Sequence, residues 1–177
     1  KDRAEGVNLC GGEGKRLGGV EKASIRFCGE RLIDRLSVMS LKLASKLSWV
    51  ERVPYQISDP KNYAHFRVID DPVGGGVGAL IAALKSAKKE WVWVLACDLP
   101  LIKLDHLVAL AETAIKAKPE IACVIYEDDH QAHPLCGIWR ASHVAQLEKY
   151  ISSRGRLTEF AFKYGSVIPI SDSITVD

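Results

Sequence analysis

Glu90 to Cys97, EWVWVLAC, decides the fold. Seven consecutive apolar or aromatic residues follow Glu90, and the run stops at Asp98-Leu99-Pro100. The stretch is too short to span a bilayer. A strand buried on both faces reads this way, as at the centre of a parallel sheet.

Outward from this strand, apolar runs and amphipathic stretches alternate. Upstream, Gly6 to Cys10 reads as a buried strand, followed by a glycine loop. Ala23 to Phe27 is a short alternating stretch, and Cys28-Gly29-Glu30 a turn. Arg31 to Lys46 carries apolar residues at Leu32, Ile33, Leu36, Met39, Leu43 and Leu47, a helical spacing. Trp49 to Ile57 and Phe66 to Ile69 read as strands, with one helical turn between them at Lys61 to His65. Val77 to Lys88 returns to helical period after the cluster Gly74-Gly75-Gly76. Downstream, Leu104 to Lys118 reads as a helix and Glu120 to Tyr126 as a strand. Glu127 to His133 is a polar, exposed loop, and Pro134 to Trp139 a strand. Helices over Ala141 to Ile151 and Arg156 to Phe162 and a strand over Gly165 to Ile170 complete the pattern. The alternation predicts one doubly wound, Rossmann-like α/β domain over residues 1–177, with a mostly parallel sheet and helices on both faces.

Composition agrees with an ordinary globular domain. Of 177 residues, 47% are hydrophobic and 26% charged, with a net charge of +2. That charge gives no footing for a nucleic-acid or membrane surface. Five cysteines, odd in number and without a Cys-x-x-Cys pair, read as buried free thiols in a reducing cytosol. No signal peptide and no apolar run near ~18 residues is present, so a soluble cytoplasmic protein is expected. The tryptophans lie mostly in strand runs and are assigned to the core.

Ligands on such sheets bind at the carboxyl ends of strands, and the unusual residues fall there. Leu9 to Lys22, LCGGEGKRLGGVEK, holds five glycines with Lys15, Arg16 and Lys22. Glycines let backbone N–H groups approach an anion, and the cations suit a triphosphate. The spacing fits neither the dinucleotide fingerprint nor the Walker loop. Asp98 ends the central strand, where a carboxylate is costly to desolvate unless paired or metal-bound. Two readings of it stay open: a cap for the next helix, or a ligand for magnesium, which takes carboxylate and phosphate oxygens. Asp70 and Asp71 read either as a turn before Pro72 or as nucleotide contacts. His130 and His133 lie on the polar loop, His133 a candidate substrate contact. Anion cradle, cations and carboxylate together point to nucleotidyl transfer, in which an acceptor oxygen attacks the α-phosphorus and pyrophosphate leaves. An ionised phosphate acceptor would need no general base.

Leu9-Cys10-Gly11-Gly12 with Arg16, Gly18-Gly19 and Lys22 is similar to the first signature of nucleoside-triphosphate nucleotidyltransferases. With Asp70-Asp71, Ala96 to Leu101 and His133-Pro134-Leu135, the chain resembles the molybdenum cofactor guanylyltransferase family. The resemblance implies transfer of GMP from GTP to molybdopterin, with Mg2+ as cofactor and molybdopterin-delivering proteins as candidate partners. It implies nucleotide contacts from Leu9, Cys10, Gly11, Gly12, Lys22, Asp71 and Asp98. Lys22, Arg16 and Asp98 take the catalytic roles, Asp98 holds the metal, and His133 lies toward the acceptor. Three departures stand out: Cys10 replaces the family's usual Ala, the second glycine cluster lacks its Pro, and an Asn-x-Asn segment at the carboxyl end is expected to be absent or disordered. CTP or another phosphorylated acceptor remains the alternative within the fold. A nucleotide-binding protein without turnover is the alternative outside catalysis.

Overall fold

The computed structural model describes residues 3–10, 25–44, 47–51, 68–70, 75–129, 131–171 and 174. Its elements run β1 (Ala4–Leu9), β2 (Arg26–Phe27), β3 (Glu30–Arg31), α1 (Leu32–Leu43), β4 (Leu47–Glu51), β5 (Val68–Asp70) and α2 (Gly75–Ser86). There follow β6 (Trp91–Ala96), α3 (Leu104–Lys116), β7 (Cys123–Glu127), β8 (Ala132–Arg140), α4 (Val144–Ser152), α5 (Leu157–Tyr164) and β9 (Ser166–Pro169). Seven strands form one sheet in the order β5-β4-β1-β6-β8-β7-β9. Only β8 runs against its neighbours β6 and β7; the other pairings are parallel. The mostly parallel α/β architecture expected from the sequence is the one observed.

Strand alternation sorts side chains between two layers. Val92 and Val94 of β6 join α2, α4 and α5 through Leu80, Leu147 and Phe160. Trp91, Trp93 and Leu95 face α1 and α3 through Leu36, Leu107 and Leu110. Val92, Val94 and Leu95 are fully buried. Burial of a Val or Leu side chain contributes about 1.5–3 kcal/mol, so this strand anchors both layers.

Several boundaries differ from the sequence reading. Helix α1 stops at Leu43, because Ala44 is already extended at φ −125° and ψ 146°. Leu47, placed on the helix by its spacing, instead opens β4 and is 1% exposed. Glu127 to His133 is not all loop: β8 begins at Ala132, and His133 is buried within it. Its pairing with Asp128, described below, explains how a polar residue comes to be buried there. The expected turn at Cys28-Gly29 joins β2 to β3, with φ of 52° and 84° at the two residues. Positive φ at both central positions matches the right-handed twist of a tight hairpin. The expected helical turn at Lys61 to His65 lies outside the described residues.

One buried polar cluster ties α1 to β1. The Asn8 amide Nδ2 donates to Ser37 Oγ at 3.1 Å, and Ser40 Oγ donates to Asn8 Oδ1 at 3.2 Å. All three residues are at most 1% exposed. At the other end of the seam, Glu90 accepts from Arg3 Nε at 2.9 Å and from Arg140 Nη1 at 2.9 Å. Arg140 also lies 4.3 Å over the Trp91 ring and donates to the carbonyls of Ala117 and Lys118, just past α3.

Two stability outcomes follow from this packing. Asn8→Ala strands two buried hydroxyls, which lowers unfolding free energy by about 1–3 kcal/mol; urea melts of the two proteins measure it. Gly137→Ala is expected to cost a similar ~1–3 kcal/mol through overpacking. A Cβ there would lie 2.5 Å from the backbone oxygen of Val124, which cannot swing aside as a side chain can. A melting temperature equal to that of the unaltered protein would refute the crowding.

Candidate active site

The order of strands reverses between β1 and β6: β4 and β5 extend the sheet on one side of β1, and β6 lies on the other. A crevice at the carboxyl ends of such a switch point is where open α/β sheets hold ligands. Six residue pairs from Ala4↔Trp91 to Leu9↔Ala96 fix the register there. Beyond Leu9, Cys10 N donates to Val50 O at 2.9 Å, and Cys97 N donates to Leu9 O at 3.3 Å. The end of β1 is thus clamped from both sides immediately before the glycine loop begins.

Leu9 and Cys10, two of the residues expected at the nucleotide, are buried at this clamp. Asp98, expected to hold the metal, stands directly across the seam and is exposed between buried Cys97 and Leu99. Leu99 and Ile102 are anchored in the α1–α3 layer, and Leu101 N donates to Ile174 O at 3.4 Å. Anchoring on both flanks presents Asp98 at the rim. The structure therefore brings Leu9, Cys10 and Asp98 together. Gly11, Gly12, Arg16, Lys22, Asp71 and His130 lie outside the described residues.

His133 approaches the same rim from β8. In the antiparallel register Leu95 opposes Cys136. His133 is three residues before Cys136 and Asp98 three after Leu95, so both lie toward one end of the sheet. The β7–β8 register jumps from Ile125↔Gly137 to Tyr126↔His133, and this bulge returns His133 to β7. His133 Nε2 lies 2.7 Å from Asp128 Oδ2, with the two side chains 7% and 6% exposed. Asp128 Oδ1 also accepts from Gln131 N at 2.9 Å, so one carboxylate closes the turn and orients the imidazole. The opening of α2 meets this segment as well: a Cβ at Gly76 would be 2.6 Å from Leu135 Cδ1. The second glycine cluster thereby lets the helix start close against β8.

Sequence reasoning missed Arg35. It lies on α1, where Nη2 donates to Ile102 O at 2.7 Å and Nη1 is buried with no hydrogen-bond partner among the described residues. Nothing in a regular amphipathic period distinguishes this cation from a solvated one. Near the end of β7, Tyr126 donates its hydroxyl to His106 O at 2.6 Å, and burial, with Cys136 alongside, pushes its phenol up to about 12. It acts there as a fixed donor joining α3 to β7.

Among the described residues, no group of three or more His, Cys, Asp or Glu side chains could hold a metal ion by itself. A cavity of about 460 Å³ between α1 and α3, lined in part by Arg3, Lys42, Trp91 and Trp93, lies at the opposite, amino end of the seam. Among the described residues no helix is long and apolar enough to cross a membrane.

Comparison with known proteins places these features in context. The family model described as "MobA-like NTP transferase domain" matches residues 6–166. A molybdenum cofactor guanylyltransferase of Pseudomonas syringae pv. syringae is 34% identical over 142 residues, covering 79% of this chain and 69% of the relative. The crystal structure of molybdopterin-guanine dinucleotide biosynthesis protein A from Archaeoglobus fulgidus superposes with a TM-score of 0.64 at 25% identity, covering 94% and 83% of the two chains. A Francisella tularensis 2-C-methyl-D-erythritol 4-phosphate cytidylyltransferase shares the fold, with a TM-score of 0.70 at 12% identity over 99% and 93% of the chains.

The Asp128–His133 contact has a measurable consequence. Asp128→Ala leaves a buried imidazole nitrogen without its partner, and a loss of about 1–3 kcal/mol in unfolding free energy is expected. Denaturant titration at fixed pH measures it; an unmoved midpoint would show that the pair contributes no net stability.

Proposed function

The chain belongs to the MobA-like NTP transferase family, and from that premise we propose that it transfers the GMP moiety of GTP to molybdopterin, releasing pyrophosphate, with Mg2+ bound. One observation carries the reading. The clamped end of β1, Leu9 and Cys10, stands directly across the switch point from the exposed Asp98.

The division of labour follows from charge and position. Backbone groups from Leu9 to Gly12 meet guanine and ribose. Arg16 and Lys22 neutralise the triphosphate, with Lys22 stabilising the charge that grows as pyrophosphate leaves. Asp71, next in sequence after β5, contacts the nucleotide. His133, held by Asp128, lies toward the acceptor. The acceptor's phosphate oxygen is already ionised at pH 7, so no residue need remove a proton, and positioning with charge stabilisation supplies the rate.

Asp98 suits magnesium. It offers a hard oxygen donor at an exposed strand end, and magnesium is usually held by one or two carboxylates with substrate phosphates and water. No all-protein cage is needed for such an ion. When bound, the ion would neutralise phosphate charge and help to hold the reacting groups in line.

Lys22→Ala is expected to lower the rate of pyrophosphate release from GTP and molybdopterin by about 10²–10³, and Asp98→Ala to do so with loss of the magnesium requirement. Unaltered turnover in either variant contradicts its assigned role. Base choice is read by thermal shift with GTP, CTP, ATP and UTP in magnesium. GTP at a hundredfold excess over Kd should add about 2.7 kcal/mol of stability. Stabilisation by CTP in preference to GTP would overturn the guanine assignment.

A further inference from the structure

Cys10 and Cys97 are the next residues beyond Leu9↔Ala96, the last pair in the β1–β6 register. They face the α1 side, packed with Ile33 and Leu47, and are 2% and 4% exposed. Their sulfurs are 3.3 Å apart, with the Cys97 thiol directed at Cys10 Sγ. Cys10 Sγ also lies 3.5 Å from the carbonyl oxygen of Asn8. The remaining cysteines differ in their surroundings. Cys28 is exposed on the β2–β3 turn. Cys123 and Cys136 lie inside β7 and β8, where burial holds the Cys136 thiol up to about 12 and raises that of Cys123 strongly, keeping both protonated. Only thiolates react as nucleophiles at useful rates.

We propose that Cys10 and Cys97 are a modification site, a vicinal dithiol across the β1–β6 seam that a peroxide converts to a disulfide. The atoms balance with hydrogen peroxide as oxidant. The Cys97 thiol gives up its proton and the resulting thiolate attacks one peroxide oxygen; the O–O bond breaks, and the departing hydroxide combines with that proton as water. The Cys10 sulfur then attacks the sulfenic sulfur, the S–O bond breaks, and a second water leaves with the Cys10 proton. Two thiols lose two electrons and one peroxide becomes two waters.

The geometry also gives the consequence. A disulfide requires its sulfurs at about 2.05 Å, so the two strand ends must move together from the present 3.3 Å contact. Gly11 follows one cysteine and Asp98 the other. Closing the bond therefore shifts the start of the glycine loop relative to the carboxylate across from it. A misplacement near 1 Å can cost about 10² in rate. The bond itself is independent of the proposed function; its effect on turnover rests on that reading.

The test oxidises the full chain with hydrogen peroxide, alkylates the remaining thiols and maps peptides by mass spectrometry, in parallel with GTP binding by calorimetry. A Cys10–Cys97 cross-link is expected, with Cys123 and Cys136 still reduced. GTP affinity and turnover should fall, turnover by about 10², and dithiothreitol should restore both. Cys97→Ser and Cys97→Ala should bind GTP as the unaltered protein does and lose the peroxide effect on binding and turnover. Oxidation confined to Cys28, or sulfinic acid at Cys97 without a cross-link, overturns the proposal. A cross-link that leaves GTP affinity and turnover unchanged overturns the linkage to the site. If the cross-link forms but the reduced protein never binds GTP, the dithiol stands and the guanylyltransferase reading fails.

Discussion

The register of β1 against β6 is the constraint on which the rest of the molecule depends. It is set by apolar burial on both faces, since Val7 and Leu9 point to one helical layer while Trp93 and Leu95 point to the other. A slip by one residue would turn the whole apolar set of the slipped strand to the opposite layer. The Asn8 cluster adds a different kind of control. Each of its hydrogen bonds contributes only about 0.5–1.5 kcal/mol net, yet leaving one unmade costs about 1–3 kcal/mol. Its main effect is therefore to penalise alternatives: α1 has one position over β1 in which Ser37 and Ser40 both find the amide.

That constraint explains why the fold was largely legible in the sequence. After Glu90, WVWVLAC has no charged or hydroxyl-bearing residue to give a one-sided strand a solvent face, so burial on both sides followed directly. Where the reading slipped, two arrangements satisfied the same local pattern. Leu47 stands four residues after Leu43 and fits a helical stripe, but the extended backbone at Ala44 ends the helix and a buried strand begins. His133 sits at the end of a run of polar residues that has no apolar period. Its burial depends on Asp128 five positions earlier, and a contact across a bulged turn leaves no periodic trace.

The candidate site was legible in proportion to how abnormal each residue was for its place. A carboxylate ending seven apolar residues is conspicuous, and the structure presents Asp98 at the rim. Arg35 is inconspicuous on an amphipathic helix, although its Nη1 is buried without a hydrogen-bond partner among the described residues. The Cys10–Cys97 contact could not be inferred from spacing at all. Eighty-seven positions separate the two residues, and only the parallel register brings the sulfurs together.

The same register places two chemistries of opposite character at one strand end. Asp98 is a hard oxygen donor exposed at the rim, suited to magnesium and phosphate. One residue earlier, on the α1 side, Cys97 and Cys10 form a soft sulfur pair enclosed with Ile33 and Leu47. Strand alternation makes this possible, because successive side chains leave the backbone in different directions. Soft thiolates bind hard ions poorly, so the pair beneath does not compete for magnesium. Peptide planes are stiff, however, and Cys97 shares one with Asp98. Closure of the sulfur contact into a covalent bond is therefore transmitted to the carboxylate through covalent geometry. Coupling between the two layers needs no moving domain, since the clamped strand ends leave little else free to absorb the displacement.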